Sequence, residues 1–97
     1  MSVEFEWDPA KATYNQEKHR VTFAEAQTVF ADPGAVIVPD EWHDEAEDRE
    51  IIIGRSQRNR LLFVVFVERM QLVIRLISAR VATKKERREY EHTEHSE

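Results

Sequence analysis

The sequence lacks cysteine altogether, which excludes disulfide bonds and zinc sites built on thiolates. No apolar run approaches the roughly 20 residues of a membrane-spanning helix, so no membrane partner is expected. The first residues, MSVEFEWD, are acidic and unlike the start of a secretory signal peptide. We therefore expect the protein to work in the reducing environment of the cytoplasm.

What the chain does contain is enough apolar and charged residues for one globular domain. Its 97 residues are 41% hydrophobic and 34% charged, as in a folded protein and unlike a disordered one. A chain of this length buries about 65% of its unfolded surface. We expect a single domain over residues 1–91 and a frayed tail over residues 92–97.

Positive charge is scarce overall but unevenly distributed. The net charge of −5 argues at first against a nucleic-acid-binding protein. Residues 1–50, however, contain 4 Lys and Arg against 13 Asp and Glu, whereas residues 51–97 contain 10 against 6. This asymmetry predicts a basic working surface separate from an acidic one, unless the two halves mix once the chain is folded.

Residues 72–90, LVIRLISARVATKKERREY, have the pattern of a buried strand that leads into a basic helix. The strand is apolar on both alternating faces, with Arg75 on one face and Arg80 on the other. A buried guanidinium needs a carboxylate, a route to solvent or an anionic ligand. Thr83 and Glu86 have capping-box spacing. The helix that they open carries four cations, Lys84, Lys85, Arg87 and Arg88, so this stretch predicts a phosphate site.

The first half of the chain predicts an edge strand and two helices. Residues 3–7 alternate between apolar and acidic side chains, and Asp8 followed by Pro9 starts a helix that reaches about Lys18. Thr22 and Glu25 form a second capping box. The first helix carries a polar stripe of Lys11, Asn15 and Lys18, with His19 next along. This stripe is either a solvated face or part of a binding surface.

Residues 40–48 are strongly acidic and show no periodicity, which predicts a surface loop. An exposed Trp42 would suit a protein-binding loop. His43 with Asp44 and Glu45 would suit a divalent metal, although their spacing matches no known signature. We therefore expect no metal and no cofactor.

The remaining apolar runs predict the sheet. Residues 51–53, 61–67 and 72–81 are separated by four to seven residues, too few for crossover helices, so they form an antiparallel meander. Residues 3–7 and 36–38 add two short strands. The predicted fold is α+β in the order βααββββα, a small antiparallel sheet of about five strands with two N-terminal helices packed on it and a C-terminal basic helix.

Two long strings resemble the BrnT family of bacterial toxins. Residues 5–26, FEWDPAKATYNQEKHRVTFAEA, are similar to the family pattern F-x-W-D-x-x-K-x-x-x-N-x-x-K-H-x-V-x-F-x-E-A. Residues 75–90, RLISARVATKKERREY, are similar to R-x-I-S-A-R-x-A-T-x-x-E-R-x-x-Y, and Arg49 fits the piece between. Residues 31–48 and the tail match only loosely, so nothing is carried over there.

The resemblance implies a RelE-like fold and the toxin of a type II toxin–antitoxin system. Such a toxin is an endoribonuclease that cleaves RNA and inhibits translation and growth. The resemblance also implies a BrnA-like, DNA-binding antitoxin that binds the toxin and represses the shared operon. The residues alone indicate only an anion-binding α+β domain. A non-catalytic module that binds nucleic acid or protein with the same basic face remains the alternative, and a metal-dependent hydrolase is a third.

RNA can be cut without a metal if the 2′-hydroxyl attacks the adjacent phosphate. The enzyme then removes that proton, stabilises a pentacoordinate phosphorane and protonates the leaving 5′-oxygen. Arg75 and Arg80 are the predicted phosphate ligands, although strand alternation points them to opposite faces. Either one pairs structurally, for example with Glu50, or a bulge near Ser78 brings both to one face.

His19 is the predicted general acid or base, because imidazole exchanges protons nearest neutral pH; a histidine that caps the helix is the alternative. Lys18 is expected to guide the RNA or stabilise charge beside it. Tyr90 either stacks on a base, donates a proton or belongs to the core. The predicted RNA-binding side chains are Lys11, Asn15, Lys84, Arg87 and Arg88.

Overall fold

A computed structural model describes residues 3–40 and 48–94, and its elements confirm the α+β class and the order βααββββα. The elements are β1 (Glu4–Glu6), α1 (Pro9–His19), α2 (Phe23–Gln27) with a 3-10 turn (Thr28–Ala31), β2 (Val36–Pro39), β3 (Arg49–Arg55), β4 (Leu61–Met70), β5 (Val73–Val81) and α3 (Lys84–Glu94). No helix in these two ranges is long and apolar enough to cross a membrane.

The five strands form one sheet in the order β1-β5-β4-β3-β2. Strands β2 to β5 form the predicted antiparallel meander. The sheet is nevertheless mixed, because β1 pairs with β5 in parallel. The direction of β1 is set by its connection to α1. Glu6 pairs with Arg75 and Asn15 of α1 reaches Ala79, so β1 and α1 advance along the edge of β5 in the direction of β5 itself.

Side-chain caps start both N-terminal helices, as the sequence predicts. The Asp8 side chain accepts a hydrogen bond from the Ala10 amide, with Pro9 at the first turn. The Thr22 hydroxyl accepts one from the Glu25 amide at 3.0 Å. Because each cap satisfies an amide that the helix leaves unpaired, both helices begin where these residues stand.

The main core lies between one face of the sheet and the segment from α1 to the 3-10 turn. Trp7 packs edge-to-face on Phe23, with ring centroids 5.8 Å apart, and Phe30 contacts the rings of Phe5 and Phe66. The buried residues of this layer are Val21, Phe23, Ala26, Val29, Ile52, Leu62, Val64, Phe66, Ile74, Leu76 and Ala79. This face of the sheet is therefore closed to a ligand.

The basic helix α3 packs against the opposite face, where Tyr90 lies buried among Ile51, Ile53 and Leu61. It extends to Glu94 and so includes residues 92–94 of the predicted tail. An ion pair between Arg87 and Glu91 links successive turns of this part of the helix. Residues 95–97 lie outside the described ranges.

Candidate nucleic-acid interface

A bulge in β5 brings Arg75 and Arg80 to the same face of the sheet. Ile77 has no partner in β4, because its two neighbours pair with consecutive residues of that strand. Leu76 before the bulge and Ala79 after it both face the main core, which α1 and α2 cover. Arg75 and Arg80 therefore both lie on the other face. The expectation from simple alternation was wrong here, and the bulge near Ser78 is confirmed.

Arg80 is held in a fixed orientation by Glu86. Its Nη1 and Nη2 donate to the two carboxylate oxygens at 2.9 and 2.8 Å, and the guanidinium carbon lies 3.9 Å from the centre of the Phe63 ring. Glu86 also accepts from the Thr83 amide at 2.8 Å, while Thr83 caps the Glu86 amide. The capping box that starts α3 thus also orients the arginine.

The Glu86 carboxylate is stabilised in its charged form. Burial alone raises its pKa, but the hydrogen bonds from Arg80 and the Thr83 amide outweigh that effect, so the pKa lies below its ordinary value. The pair is consequently ionised at neutral pH, and the side chain of Arg80 remains 34% exposed.

Arg75 is anchored separately, by Glu6 of β1. Its Nη1 donates to Glu6 Oε2 at 3.1 Å, and Arg69 donates to the same oxygen at 3.1 Å. The suggested partner Glu50 was wrong. Glu50 lies opposite Phe66 in the neighbouring strand, and its side chain is therefore on the face that α1 and α2 cover. Both arginines of the candidate site are therefore held by carboxylates that belong to other elements.

A cleft of about 610 Å³ separates the start of α3 from the open face of the sheet. Apolar side chains and Arg80 of β5 line its sheet side, and charged side chains of α3 line the other side. The lining residues are Val38, Pro39, Ile51, Ile53, Phe63, Arg80, Lys85, Glu86 and Glu89. Arg80 and Lys85 are the cations that could meet an anion bound there.

The predicted polar stripe of α1 does not form a single surface. Asn15 is 3% exposed. Its Nδ2 donates to the carbonyls of Val21 and Ala79, both at 2.9 Å, and its Oδ1 accepts from the Ala79 amide at 3.0 Å. This amide pairs with the edge of β5 as a neighbouring strand would, so it has no free group for RNA. Lys11 and Lys18 remain exposed, and His19 is half-buried.

Three separate parts of the chain meet at one end of the sheet. Arg60 Nη2 donates to the carbonyl of Arg20 at 3.1 Å, which joins the β3–β4 hairpin to the end of α1. The Ala82 amide donates to the Leu61 carbonyl at 2.9 Å, which joins the same hairpin to the start of α3. His19 and Lys18 therefore lie toward the end of the sheet from which Lys84 and Lys85 project.

Tyr90 holds α3 on the sheet. Its hydroxyl donates to Asp32 Oδ2 at 2.9 Å, and the Arg55 guanidinium lies 5.9 Å from its ring centre. Asp32 also accepts from the Gly34 and Arg55 amides. Burial raises the Asp32 pKa, but these donors together hold it below its ordinary value. The Tyr90 hydroxyl is thus engaged with a charged structural carboxylate.

Lys85 belongs to the predicted basic helix and lines the cleft, whereas the sequence did not indicate Glu86 or Phe63 as parts of the site. The capping-box spacing identified Glu86 as a cap, but its contact with Arg80 depends on the turn between β5 and α3. The candidate metal ligands His43, Asp44 and Glu45, like Trp42, lie outside the described residues. Within residues 3–40 and 48–94, no group of three acidic or histidine side chains could hold a metal ion.

These features define a class of small α+β domain, in which helices cover one sheet face and arginines beside a basic helix occupy the other. Residues 7–86 match the family described as the ribonuclease toxin, BrnT, of type II toxin–antitoxin systems. The chain belongs to this family, which confirms the resemblance seen in its two motifs.

A solved structure has the same fold. The 1.1 Å crystal structure of the Brucella abortus ribonuclease toxin BrnT superposes with a TM-score of 0.67 and 24% sequence identity. The match covers 86% of this chain and 100% of that chain. No curated protein matches the chain significantly.

Proposed function

We propose that this toxin is a metal-independent endoribonuclease whose reaction centre lies on the open face of β5, beside α3. The observation that carries the proposal is the placement of Arg75 and Arg80 on one face, each fixed by its own carboxylate. Family membership supports ribonuclease activity, and arginine is the side chain best suited to phosphate oxygens.

Among the described residues, the hydrogen bonds of Arg80 leave one phosphate-binding edge of its guanidinium free. Nη1 and Nη2 each donate one hydrogen bond to the Glu86 carboxylate, and Nη1 also donates to the Val81 carbonyl at 3.3 Å. Since a guanidinium has five N–H groups, Nε–H and one Nη2–H remain, and these two point in the same direction. Arg75 uses Nη1 for Glu6 and keeps the same edge. Each arginine can therefore hold a phosphate without leaving its carboxylate.

The two arginines would bind different phosphates of one RNA strand. They are five residues apart on β5, which corresponds to roughly 15 Å along a strand, and their carboxylates hold them at opposite ends of it. Arg80 lines the cleft, so we assign it the scissile phosphate. Arg75 would hold a more distant phosphate of the same strand.

In the proposed reaction a base removes the 2′-hydroxyl proton and the 2′-oxygen forms a bond to phosphorus. The bond from phosphorus to the 5′-oxygen then breaks, and an acid protonates that oxygen. The products are a 2′,3′-cyclic phosphate and a 5′-hydroxyl. His19 remains our candidate for the acid or base, with Lys18 beside it, because the end of α1 and the start of α3 meet at the same end of the sheet. Tyr90 receives no step, since its hydroxyl is bonded to Asp32.

The proposed partners are RNA and a BrnA-like, DNA-binding antitoxin that meets the toxin in the cytoplasm and represses the shared operon. Charge complementarity speeds and orients such an encounter. An acidic or amide-rich segment of the antitoxin would contact the cations of α3, which are Lys84, Arg87 and Arg88. Bound there, the antitoxin would cover the entrance to the cleft and inhibit growth arrest.

The test is cleavage of RNA by the purified protein in EDTA, with analysis of the new ends. We expect 2′,3′-cyclic ends, and a loss of about 100-fold or more in Arg80→Ala, as for a removed transition-state ligand. Arg75→Ala should also lose activity. Arg69→Ala is the matched control, because it removes an arginine that shares Glu6 but lies near the end of β4 away from the cleft.

Two outcomes would overturn the proposal. Activity that disappears in EDTA and returns with a divalent cation would identify a metal-dependent enzyme. RNA binding without cleavage, under both conditions and in the presence of ribosomes, would leave the non-catalytic binding module.

A further inference from the structure

The tip of the β3–β4 hairpin has a well-defined shape. The Ser56 amide donates to the Arg60 carbonyl at 2.9 Å, and the Asn59 amide donates to the Ser56 carbonyl at 2.8 Å. The Ser56 hydroxyl accepts from the Arg58 amide at 3.1 Å. Asn59 has a φ of 64°, a left-handed conformation that asparagine tolerates better than most residues. These bonds close a tight loop with the polar sequence SQRNR.

The loop is also held by α2 and by the 3-10 turn that follows it. Buried Glu25 accepts from the Ser56 hydroxyl at 2.7 Å and from Arg60 Nε at 2.9 Å. The Thr28 hydroxyl accepts from the Gln57 amide at 2.9 Å. The hydrogen bond from Arg60 is the main cause of the lowered Glu25 pKa, and it outweighs the opposing effect of burial. The loop therefore rests on a carboxylate that is charged and already bonded.

Arg58 stands at the top of this loop, and no carboxylate of the described residues lies in direct hydrogen-bond contact with it. Its side chain is 70% exposed, and its contact with Glu25 Oε1 is 3.8 Å long. Glu25 already receives direct hydrogen bonds from Arg60 and Ser56. The charge of Arg58 is consequently available to an anion outside the protein.

We propose that the hairpin tip formed by Gln57, Arg58 and Asn59 binds RNA, with Arg58 on a phosphate outside the nucleotide that is cut. The inference rests on the proposed function for its ligand, but it adds a binding surface distant in sequence from β5 and α3. The tip lies at the end of the sheet where α3 begins, since the Ala82 amide bonds to Leu61 directly after the hairpin. A strand leaving the cleft at this end would pass the tip.

The chemistry of the tip favours nucleic acid over a protein partner. All of its side chains are polar or cationic, as in nucleic-acid interfaces, which are polar and strongly positive. The tip offers none of the apolar or aromatic anchors that dominate protein–protein binding. Its rigidity also helps, because a loop that is already ordered loses little entropy when it binds.

The test measures binding of 2′-O-methyl RNA in EDTA, since this RNA lacks the attacking hydroxyl and stays intact. Fluorescence anisotropy over a range of salt concentrations gives the slope of log K against log salt. Loss of one phosphate contact on a single strand should reduce that slope by about 0.7. We expect this reduction for Arg58→Ala, with weaker binding to every sequence tested, and near wild-type binding for Arg58→Lys.

Arg69→Ala is again the control, because it makes the same charge change at an exposed position, 55% exposed, at the other end of β4. Equal slopes for the two alanine variants, or no binding by the wild-type chain, would overturn the inference. Weakened antitoxin binding by Arg58→Ala with unchanged RNA binding would assign the tip to a protein and also overturn it. Cleavage that depends on Arg80 but not on Arg58 would leave the proposed function intact. If the protein never cuts RNA but Arg58 still contributes to RNA binding, the proposed function is wrong and the inference about the hairpin tip stands.

Discussion

Glu86 links Arg80 to the start of α3, so its replacement by glutamine should reveal what orientation of the arginine is worth. The amide oxygen, in the place of Oε1, can still accept from Thr83 and from Arg80 Nη1, but an NH2 group in the place of Oε2 cannot accept from Arg80 Nη2. A charge-assisted hydrogen bond contributes about 1.5–3 kcal/mol. Because Arg80 is a third exposed and can be rehydrated, we expect a loss of only about 1–2 kcal/mol, or roughly 5–15 °C in Tm for a domain of this size.

The effect on catalysis should be larger than the effect on folding. A guanidinium that is free to rotate away from Phe63 no longer presents its remaining N–H groups to one point. A displacement of about 1 Å can cost ~100-fold in rate, so we expect kcat for RNA cleavage to fall by roughly 10- to 100-fold with KM little changed. Steady-state kinetics on a defined oligonucleotide and thermal unfolding measure the two quantities.

Glu89→Gln is the control for Glu86→Gln, because Glu89 lines the same cleft on the same helix but is exposed and outside the Arg80 pair. It should cut RNA at the wild-type rate. Should Glu86→Gln also cut at that rate while Arg80→Ala is inactive, the idea that Glu86 orients the arginine is wrong.

The pH dependence of the Glu86 pair has a definite sign. A carboxyl whose pKa is lowered by folding stabilises the fold when the pH is above its ordinary pKa, here 4.5. That contribution is lost as the pH falls through the pKa of the folded state. Protonation would also release Arg80. The Tm difference between wild type and Glu86→Gln should therefore shrink as the pH falls below about 4.5.

Two further substitutions separate structural from catalytic roles. Tyr90→Phe removes the hydrogen bond to Asp32, which should cost about 1 kcal/mol and lower Tm by roughly 4–8 °C without slowing RNA cleavage; a 100-fold slower enzyme with an unchanged Tm would make Tyr90 catalytic. Glu25→Gln should cost about 2 kcal/mol in urea unfolding, because Arg60 loses its carboxylate but is partly solvated. Because folding lowers the Glu25 pKa, the free energy of unfolding of the wild type should decrease as the pH is lowered past about 4.5. The variant should show a smaller decrease, and parallel curves of this free energy against pH would contradict the assignment.

Local signals in the sequence were sufficient for the elements but not for the placement of β1 or of the arginines. Asp8 and Thr22 act within a few residues, so their caps could be read directly. Strand β1 joins a strand almost seventy positions away, as in the pairing of Glu6 with Arg75, and no local pattern specifies its direction. The bulge at Ile77 was equally hidden, because a strand that is apolar on both faces gives no alternation from which a one-residue shift can be detected.

The same pairings explain how a chain of net charge −5 can offer arginines to RNA. The two halves of the sequence differ in charge, but the fold mixes them: Glu6 and Glu25 of the acidic half bind Arg75 and Arg60 of the basic half. In each case the carboxylate fixes a guanidinium that would otherwise sample many rotamers, and the arginine keeps N–H groups that point elsewhere. Lysine could not do this, since its single ammonium has no second planar edge. Acidic residues beside the site are therefore compatible with RNA binding, because their role would be to aim the cations and not to cancel them.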